Sequence, residues 1–297
     1  DSRPSSIADS IGYDFRGSFE ASGNFQLNNW NLDFNGKFVS DDTFLRRFDL
    51  NDETDIKSHL SLSRYWKNAQ IEINSFHFSS LLPEENGSEP LILPEIKFLW
   101  NPDKIIFGGK SKISIEMLGL IRKTDGNTYR LSSEIDWARQ FIKESGHIFK
   151  INLNLRGDAY RSKKKWIPNN STRLLPSNPY GIKKDMYRLL PSVIAEWKFP
   201  LKNNHSPTII EPTIQISYSV DKSKNLRMPN EDSIGFELNS HNIFSRNRMP
   251  GLDFWETGSR VNYGVKVSHF FNKTGVFSGL IGQSYKFKNP DTFEKGS

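Results

Sequence analysis

The residues best suited to chemistry lie in one short stretch: Asn230, Glu231, Asp232, Asn247, Arg248 and Asp253, set around a Pro250-Gly251 pair. Carboxylates, amides and a guanidinium at this density offer charge-assisted hydrogen bonding. General acid–base work is a poorer fit, because adjacent carboxylates such as Glu231/Asp232 and Glu84/Glu85 point apart on a strand. Phe107-Gly108-Gly109-Lys110-Ser111 imitates the end of a phosphate-binding loop. The first glycine of that motif would fall at position 104, which is Lys104, and a strand pattern follows where a helix is needed. A turn is expected there. The histidines His59, His77, His147, His205, His241 and His269 are scattered, with no pair at metal-ligand spacing. The chain has no cysteine, hence no disulfide, thiol nucleophile or Cys-ligated metal, and no Gly-x-Ser-x-Gly motif. The reading is of a non-enzymatic protein with no catalytic residue, metal or cofactor.

Composition narrows the elements that position these groups. Hydrophobic residues are 36% of 297, yet aromatics reach 13%, and mean hydropathy is −0.59. Disordered chains are poor in aromatics, whereas barrel strands, apolar on one face alone, combine low hydropathy with many rings. No window of about 18 uncharged apolar residues exists, so no transmembrane helix is expected. The net charge of +6 is modest for the length. Its densest basic run, Arg161-Ser-Lys163-Lys164-Lys165-Trp166, reads as a solvated loop tip or a contact for an anion or lipid phosphate. The first residues lack the apolar core of a signal peptide, and 289–297 look like a loop. A fragment of a longer chain is expected.

The dominant period is two. Trp30, Leu32, Phe34 and Phe38 alternate with Asn31, Asp33, Asn35 and Lys37. Tyr129, Leu131, Ile135 and Trp137 oppose Arg130, Ser132, Glu134 and Asp136. Phe149, Ile151, Leu153 and Leu155 oppose Lys150, Asn152, Asn154 and Arg156, and Ile214, Ile216 and Tyr218 oppose Gln215, Ser217 and Ser219. Similar patterns run from Tyr13, Ile56, Ile113, Val193 and Val261. Successive side chains of a strand face opposite ways, so each segment is a strand with one apolar and one polar side. Roughly a dozen to fourteen segments of about 9–13 residues are expected, the length of a tilted bilayer-crossing strand. Basic and aromatic residues interleave along them, which alternation explains without nucleic acid.

Connections come in two kinds. Trp66–Ala69 and Asn272–Gly275 suit tight hairpins, while Leu82–Pro90, Arg161–Lys184 and Asp221–Thr257 are long and polar. Short turns on one side and long loops on the other characterise outer-membrane barrels. Trp30, Trp66, Trp100, Trp137, Tyr160, Phe270 and Phe271 are candidates for interfacial girdles. Pro94, Pro191, Pro200 and Pro212 are expected near strand ends, where a missing N–H matters least. The fold class is therefore all-β, an antiparallel transmembrane outer-membrane β-barrel in part. A soluble stack of sheets would also alternate.

Four ordered stretches carry a resemblance. The first is Asp14-Phe-Arg-Gly-Ser-Phe-Glu-Ala-Ser-Gly23 with Ser40-Asp-Asp-Thr-Phe-Leu-Arg-Arg-Phe48; the second is Leu153-Asn-Leu-Arg-Gly-Asp-Ala-Tyr160. The third is Arg188-Leu-Leu-Pro-Ser-Val-Ile-Ala-Glu-Trp-Lys-Phe-Pro-Leu201 with Ile210-Glu-Pro-Thr-Ile-Gln-Ile216. The fourth joins Pro229-Asn-Glu-Asp-Ser233, Asn242-Ile-Phe-Ser-Arg-Asn-Arg-Met-Pro-Gly-Leu-Asp253 and Gly258-Ser-Arg-Val-Asn-Tyr-Gly264, continued by Ile281–Phe287. Together they resemble the LptD family (OstA, organic solvent tolerance protein), especially its alphaproteobacterial forms, over nearly the whole chain.

The resemblance implies a large barrel in the outer membrane of a Gram-negative bacterium that translocates lipopolysaccharide into the outer leaflet. It implies an LptE-like plug lipoprotein, an LptA-like periplasmic jellyroll bridge, contact with outer-membrane lipid and exit through a lateral opening between the first and last strands. Residues 1–297 would be the middle part of one LptD-type barrel domain, without the N-terminal jellyroll or the barrel ends. Some members carry regulating disulfides, which this stretch cannot form. The polar stretch 230–253, too charged to face lipid, is expected to fold into the lumen, with Arg248 paired to an acid; it either serves passage or only orders the loop. The rivals are a porin or receptor barrel for small solutes, a soluble glycan-binding β-sandwich, and an enzyme embedded in a barrel.

Overall fold

The computed structural model describes residues 17–40, 55–81, 89–122, 127–162, 185–202, 206–220, 228–271 and 275–287. The strand start at Tyr13, the basic residues Lys163–Lys165, the Glu84/Glu85 pair, His205 and most of the Asn272–Gly275 turn lie outside them. Among the described residues the period-two segments form thirteen strands. These are β1 (Ser18–Leu27), β2 (Trp30–Val39), β3 (Asp55–Tyr65), β4 (Ala69–Ser80), β5 (Leu91–Trp100), β6 (Lys110–Ile121) and β7 (Thr128–Ile142). They continue with β8 (Ile148–Ser162), β9 (Asp185–Lys198), the two-residue β10 (Leu201–Lys202), β11 (Thr208–Ser219), β12 (Gly258–Phe271) and β13 (Gly275–Lys286). They make one sheet in which hydrogen-bonded order follows chain order, and only β10 leaves that path, pairing β11 alone. Apart from β10, strands run 10–15 residues, enough to cross a bilayer core.

The chain divides into two compact units. One draws on Asp1–Leu99, Ile115–Leu131 and Ser162–Lys164, the other on Trp100–Ser114, Ser132–Arg161 and Lys165–Ser297. In the first unit, Leu27 pairs with Trp30 across Asn28 and Asn29, whose φ angles are +46° and +72°. Two left-handed residues make a hairpin turn whose twist matches the strands, and asparagine tolerates that region. The expected Trp66–Ala69 turn is also present, closed by Trp66 N–H donating to the Ala69 carbonyl at 2.8 Å. At these tight-turn ends Trp30 and Trp66 flank the Arg64 guanidinium, 5.7 and 4.8 Å from the two rings. Amphipathic rings beside a cation suit the headgroup level.

In the second unit the faces are inverted relative to a soluble sheet. Tyr187 and Leu189 of β9 are 71% and 60% exposed, while Arg188 between them is 3% exposed. On β11, Ile214, Ile216 and Tyr218 are open and Thr213, Gln215, Ser217 and Ser219 are buried. β8 repeats the pattern, with Leu153 and Leu155 outward and Asn154, Arg156 and Asp158 inward. A soluble sheet hides its apolar face. A band of exposed Leu, Ile, Val and Tyr has lipid as its solvent, which does not fit a soluble glycan-binding sandwich.

Two positional expectations are corrected. Pro94, Pro191 and Pro212 lie inside strands rather than at their ends. Pro191 and Pro212 nevertheless fall just beyond the β9–β11 ladder, which ends at Ser192↔Ser219 and Thr213↔Lys198. The Pro191 carbonyl accepts from Val220 N–H at 3.4 Å and that of Pro212 from Phe199 N–H at 3.1 Å. A strand residue's N–H and C=O point the same way, so each missing N–H is directed past the ladder end, where none is required. Tyr160 is not a girdle residue. It is buried on the polar face of β8, whereas Trp137 shares its face of β7 with the exposed Leu131 and Ile135 and donates its indole N–H to the Ile106 carbonyl at 2.7 Å.

The glycine pair that imitates a phosphate loop is a two-residue turn, as expected. Phe107 and Gly108 have φ of +50° and +72° between the bridged Ile106 and Gly109. A Cβ on Gly109 would stand 2.4 Å from the Trp137 ring. That glycine makes room for the indole.

Candidate functional site

The second unit carries its polar groups on one face of β7, β8, β9, β11, β12 and β13, and residues 228–257 lie against that face. This stretch contains neither helix nor strand. Its prolines, asparagines and glycines supply no period of two or 3.6, so its peptide groups need partners from outside regular ladders. Those partners are the buried side chains of the strands.

Arg156 and Asp158 on β8 share a face because they are two residues apart. Together with Arg188 of β9 they form a buried cradle. Arg156 meets the Asp158 carboxylate at 2.9 Å and Arg188 meets it at 2.5 Å. Two guanidiniums on one carboxylate have donors to spare, and these take backbone carbonyls of the incoming segment. Arg156 and Arg188 both donate to the Leu252 carbonyl, at 2.7 and 2.8 Å, and Arg188 donates to that of Asp253 at 2.5 Å. The fully buried Asp253 carboxylate accepts from Tyr160 Oη at 2.9 Å and from the Glu231 and Asp232 amides at 2.6 and 3.1 Å. Asp232 Oδ1 reciprocates, accepting from the Leu252 and Asp253 amides at 2.8 and 3.1 Å. Asn230 Oδ1 accepts from Ser233 N–H at 3.0 Å. Gly251, at φ +81°, lets the chain pass where a Cβ would be 2.3 Å from the Asp232 carbonyl.

A second group surrounds Glu256. Arg248 Nε donates to Glu256 Oε2 at 2.7 Å and Arg260 Nη1 to the same oxygen at 2.5 Å, while Lys286 pairs with Oε1. Burial by itself would raise the Glu256 pKa; the hydrogen bond from Arg248 and the charges of Arg260, Lys286 and Arg248 outweigh it and hold the carboxyl below its ordinary value. Asn247 accepts from the Glu256 amide at 3.0 Å and donates to the Met249 carbonyl at 3.0 Å. From there a hydrogen-bond chain runs along the strands. Arg248 donates to Ser284 at 3.0 Å, Ser284 to Asn262 at 2.6 Å, Asn262 to Gln215 at 2.8 Å and Gln215 to the Phe244 carbonyl at 2.9 Å.

Deeper in the segment Arg246 pairs with Glu134 and Asp136 of β7, and Asn154 donates to both carboxylates at 2.8 and 3.1 Å. The buried Trp255 ring lies between guanidiniums, 4.7 Å from that of Arg156 and 5.6 Å from that of Arg246. Every arginine here is charge-paired and hydrogen-bonded, the condition for burying one. The arrangement seats a loop on a polar wall.

The six residues singled out from sequence thus separate into two groups. Asn230, Glu231, Asp232 and Asp253 close the loop on itself beside the Arg156–Asp158–Arg188 cradle, and Asn247 and Arg248 organise the Glu256 group. Arg248 has an acidic partner, as expected, and it is Glu256. The strand residues Glu134, Asp136, Arg156, Asp158, Tyr160, Arg188, Arg260 and Lys286 were not among the candidates. Parity was the available signal, since each shares its face with other polar residues of its strand.

Long antiparallel strands, apolar outside and polar inside, with a loop seated on the polar face, define the wall of an outer-membrane β-barrel. The chain belongs to the LptD family, as the family model for LPS transport system D matches residues 14–297. This is a family of the Gram-negative outer membrane that serves lipopolysaccharide transport. Among solved structures the chain is similar to BamA from Haemophilus ducreyi lacking POTRA domains 1–3, at 10% identity and a TM-score of 0.36, covering 93% of this chain and 65% of that one. It is also similar to the siderophore receptor PirA from Pseudomonas aeruginosa, at 8% identity and a TM-score of 0.40, covering 91% of this chain and 51% of that one. The chain therefore spans between half and two thirds of those proteins. No curated protein matches it.

Proposed function

We propose that the protein containing this chain translocates lipopolysaccharide into the outer leaflet of the outer membrane without a covalent step of its own. The observation that carries this reading is the family match over residues 14–297. The polar inner face suits it, because a charged glycolipid head needs polar groups along its route while acyl chains stay in lipid. In this reading residues 1–297 belong to one barrel domain. An LptE-like lipoprotein plugs it, an LptA-like jellyroll bridge feeds it, and energy enters elsewhere in the system. Asn230, Glu231, Asp232, Asn247, Arg248 and Asp253 act by ordering the luminal segment.

The test is depletion of the full-length parent in its own cell, followed by assay of surface lipopolysaccharide. Loss from the surface with accumulation inside is the expected result. Unchanged surface lipopolysaccharide with altered uptake of small solutes would assign the barrel to solute passage instead.

A further inference from the structure

A cavity of about 740 Å³ opens in the second unit beside Arg246 of the 228–257 segment. Its wall includes Lys104 from the β5–β6 turn, Lys110 and Lys112 from the start of β6, and Arg246, with Asp103 and Asp136 as its carboxylates. Arg246 is already engaged by Asp136 and by Glu134. Lys104, Lys110 and Lys112 form no ion pair among the described residues, and the cavity wall carries four cationic residues against two carboxylates, Asp103 and Asp136. Lys110 and Lys112 are two apart on a strand and therefore share a face, and both line the cavity. These three lysines are exposed, and like charges gathered in a concavity raise the local concentration of anions.

The place of the cavity narrows the ligand further. It lies where β5 turns into β6, the end of the sheet that also holds the short β7–β8 connection at 143–147. The long connection 220–257 leaves from the opposite end. Short turns mark the periplasmic side of an outer-membrane barrel, so the lysines stand at the periplasmic mouth. The volume is in the range of small-ligand sites, large enough for a phosphorylated sugar. Ammonium groups on flexible stems suit phosphate, which needs point charges more than a planar fork.

We propose that Lys104, Lys110 and Lys112 form a phosphate-binding site for a phosphorylated saccharide at the periplasmic mouth of the barrel. The phosphate chemistry stands on the cavity alone; that the saccharide is the head of the exported glycolipid rests on the function proposed above. Periplasmic inorganic phosphate is the other source of the same chemistry.

The experiment is calorimetric titration of the full-length protein, purified in detergent with its partners. The probes are a bis-phosphorylated glycolipid in mixed micelles, its enzymatically dephosphorylated counterpart, and inorganic phosphate. The combined Lys104→Gln, Lys110→Gln and Lys112→Gln variant is compared with the corresponding arginine variant, both first shown to be folded by heat-modifiable mobility. The phosphorylated glycolipid is expected to bind the parent and the arginine variant at least about tenfold more tightly than the glutamine variant, with affinity falling as salt rises. Inorganic phosphate competing at equal phosphate concentration would support the site and make free phosphate its source. Equal binding by parent and glutamine variant, or by phosphorylated and dephosphorylated lipid, overturns the proposal. If depletion of the parent leaves surface lipopolysaccharide unchanged while this binding persists, the site stands and the export reading falls. A normal export result with no lysine dependence of binding does the reverse.

Discussion

Replacing Arg188 with alanine should unseat the 228–257 segment while leaving the strands in place. The side chain meets Asp158 at 2.5 Å and the carbonyls of Asp253 and Leu252 at 2.5 and 2.8 Å. Its removal takes one of two guanidiniums from a fully buried carboxylate and withdraws donors from the segment's backbone. Breaking a buried ion pair from one side costs about 3–5 kcal/mol. At about 1.4 kcal/mol per tenfold, that increases the undocked fraction by roughly 10²- to 10³-fold or more. The chain has no cysteine, so Met249→Cys, at a position 5% exposed, reports docking through its reaction with a water-soluble maleimide. In the Arg188→Ala background the labelling rate should rise by about that factor, since opening that is fast relative to labelling makes rate follow population. Arg161→Ala is the control, because its 2.8 Å pair with Asp185 is exposed and such pairs contribute little. An unchanged labelling rate in the Arg188→Ala protein would refute the claim that the cradle holds the segment.

Other outcomes follow from the same geometry. The lowered Glu256 pKa means that its stabilisation is fully present above the unfolded-state value, ordinarily 4.5, and is lost as pH falls through the lower folded value. Maleimide labelling should therefore stay flat from neutral pH down to the ordinary value of 4.5 and rise as pH falls from there through the lower folded value (read after correction for thiol ionisation), and Glu256→Gln should remove the acid step. Gly251→Ala forces a side chain into the left-handed region and against the Asp232 carbonyl. It should destabilise docking by more than the roughly 1–2 kcal/mol of backbone strain alone, whereas Gly258→Ala, at φ +94° with open space around it, should show only the strain. On the lipid face, Ile216→Arg should cost about 2–4 kcal/mol in folding into vesicles if β11 crosses the bilayer near its middle. A neutral result there would remove Ile216 from the lipid-facing band.

Much of this was readable because a strand's side chains alternate. The parity of Arg156, Asp158 and Tyr160 on β8 already placed all three on one face; assigning Tyr160 to a girdle from its position near a strand end overlooked that parity. Proline placement was legible only in part. Composition does not say where one ladder ends while its neighbour continues, and that decides whether Pro191 and Pro212 are tolerated.

By itself, then, the order of residues determined the strands, the two polarities of each strand and the tight turns at Trp66–Ala69 and Phe107-Gly108, because these depend on interactions between near neighbours. It also marked 230–253 as a polar segment in need of partners. Which face is covered was decided by tertiary structure, since alternation is the same whether the apolar side meets a core or a lipid. The partners were decided there too. Arg246 finds Glu134 and Asp136 more than a hundred residues away, and Arg188 finds the carbonyls of Leu252 and Asp253 across 64 and 65 positions. Buried charge demands a partner but does not specify one; the register of neighbouring strands and the path of the loop bring a particular carboxylate or carbonyl within reach.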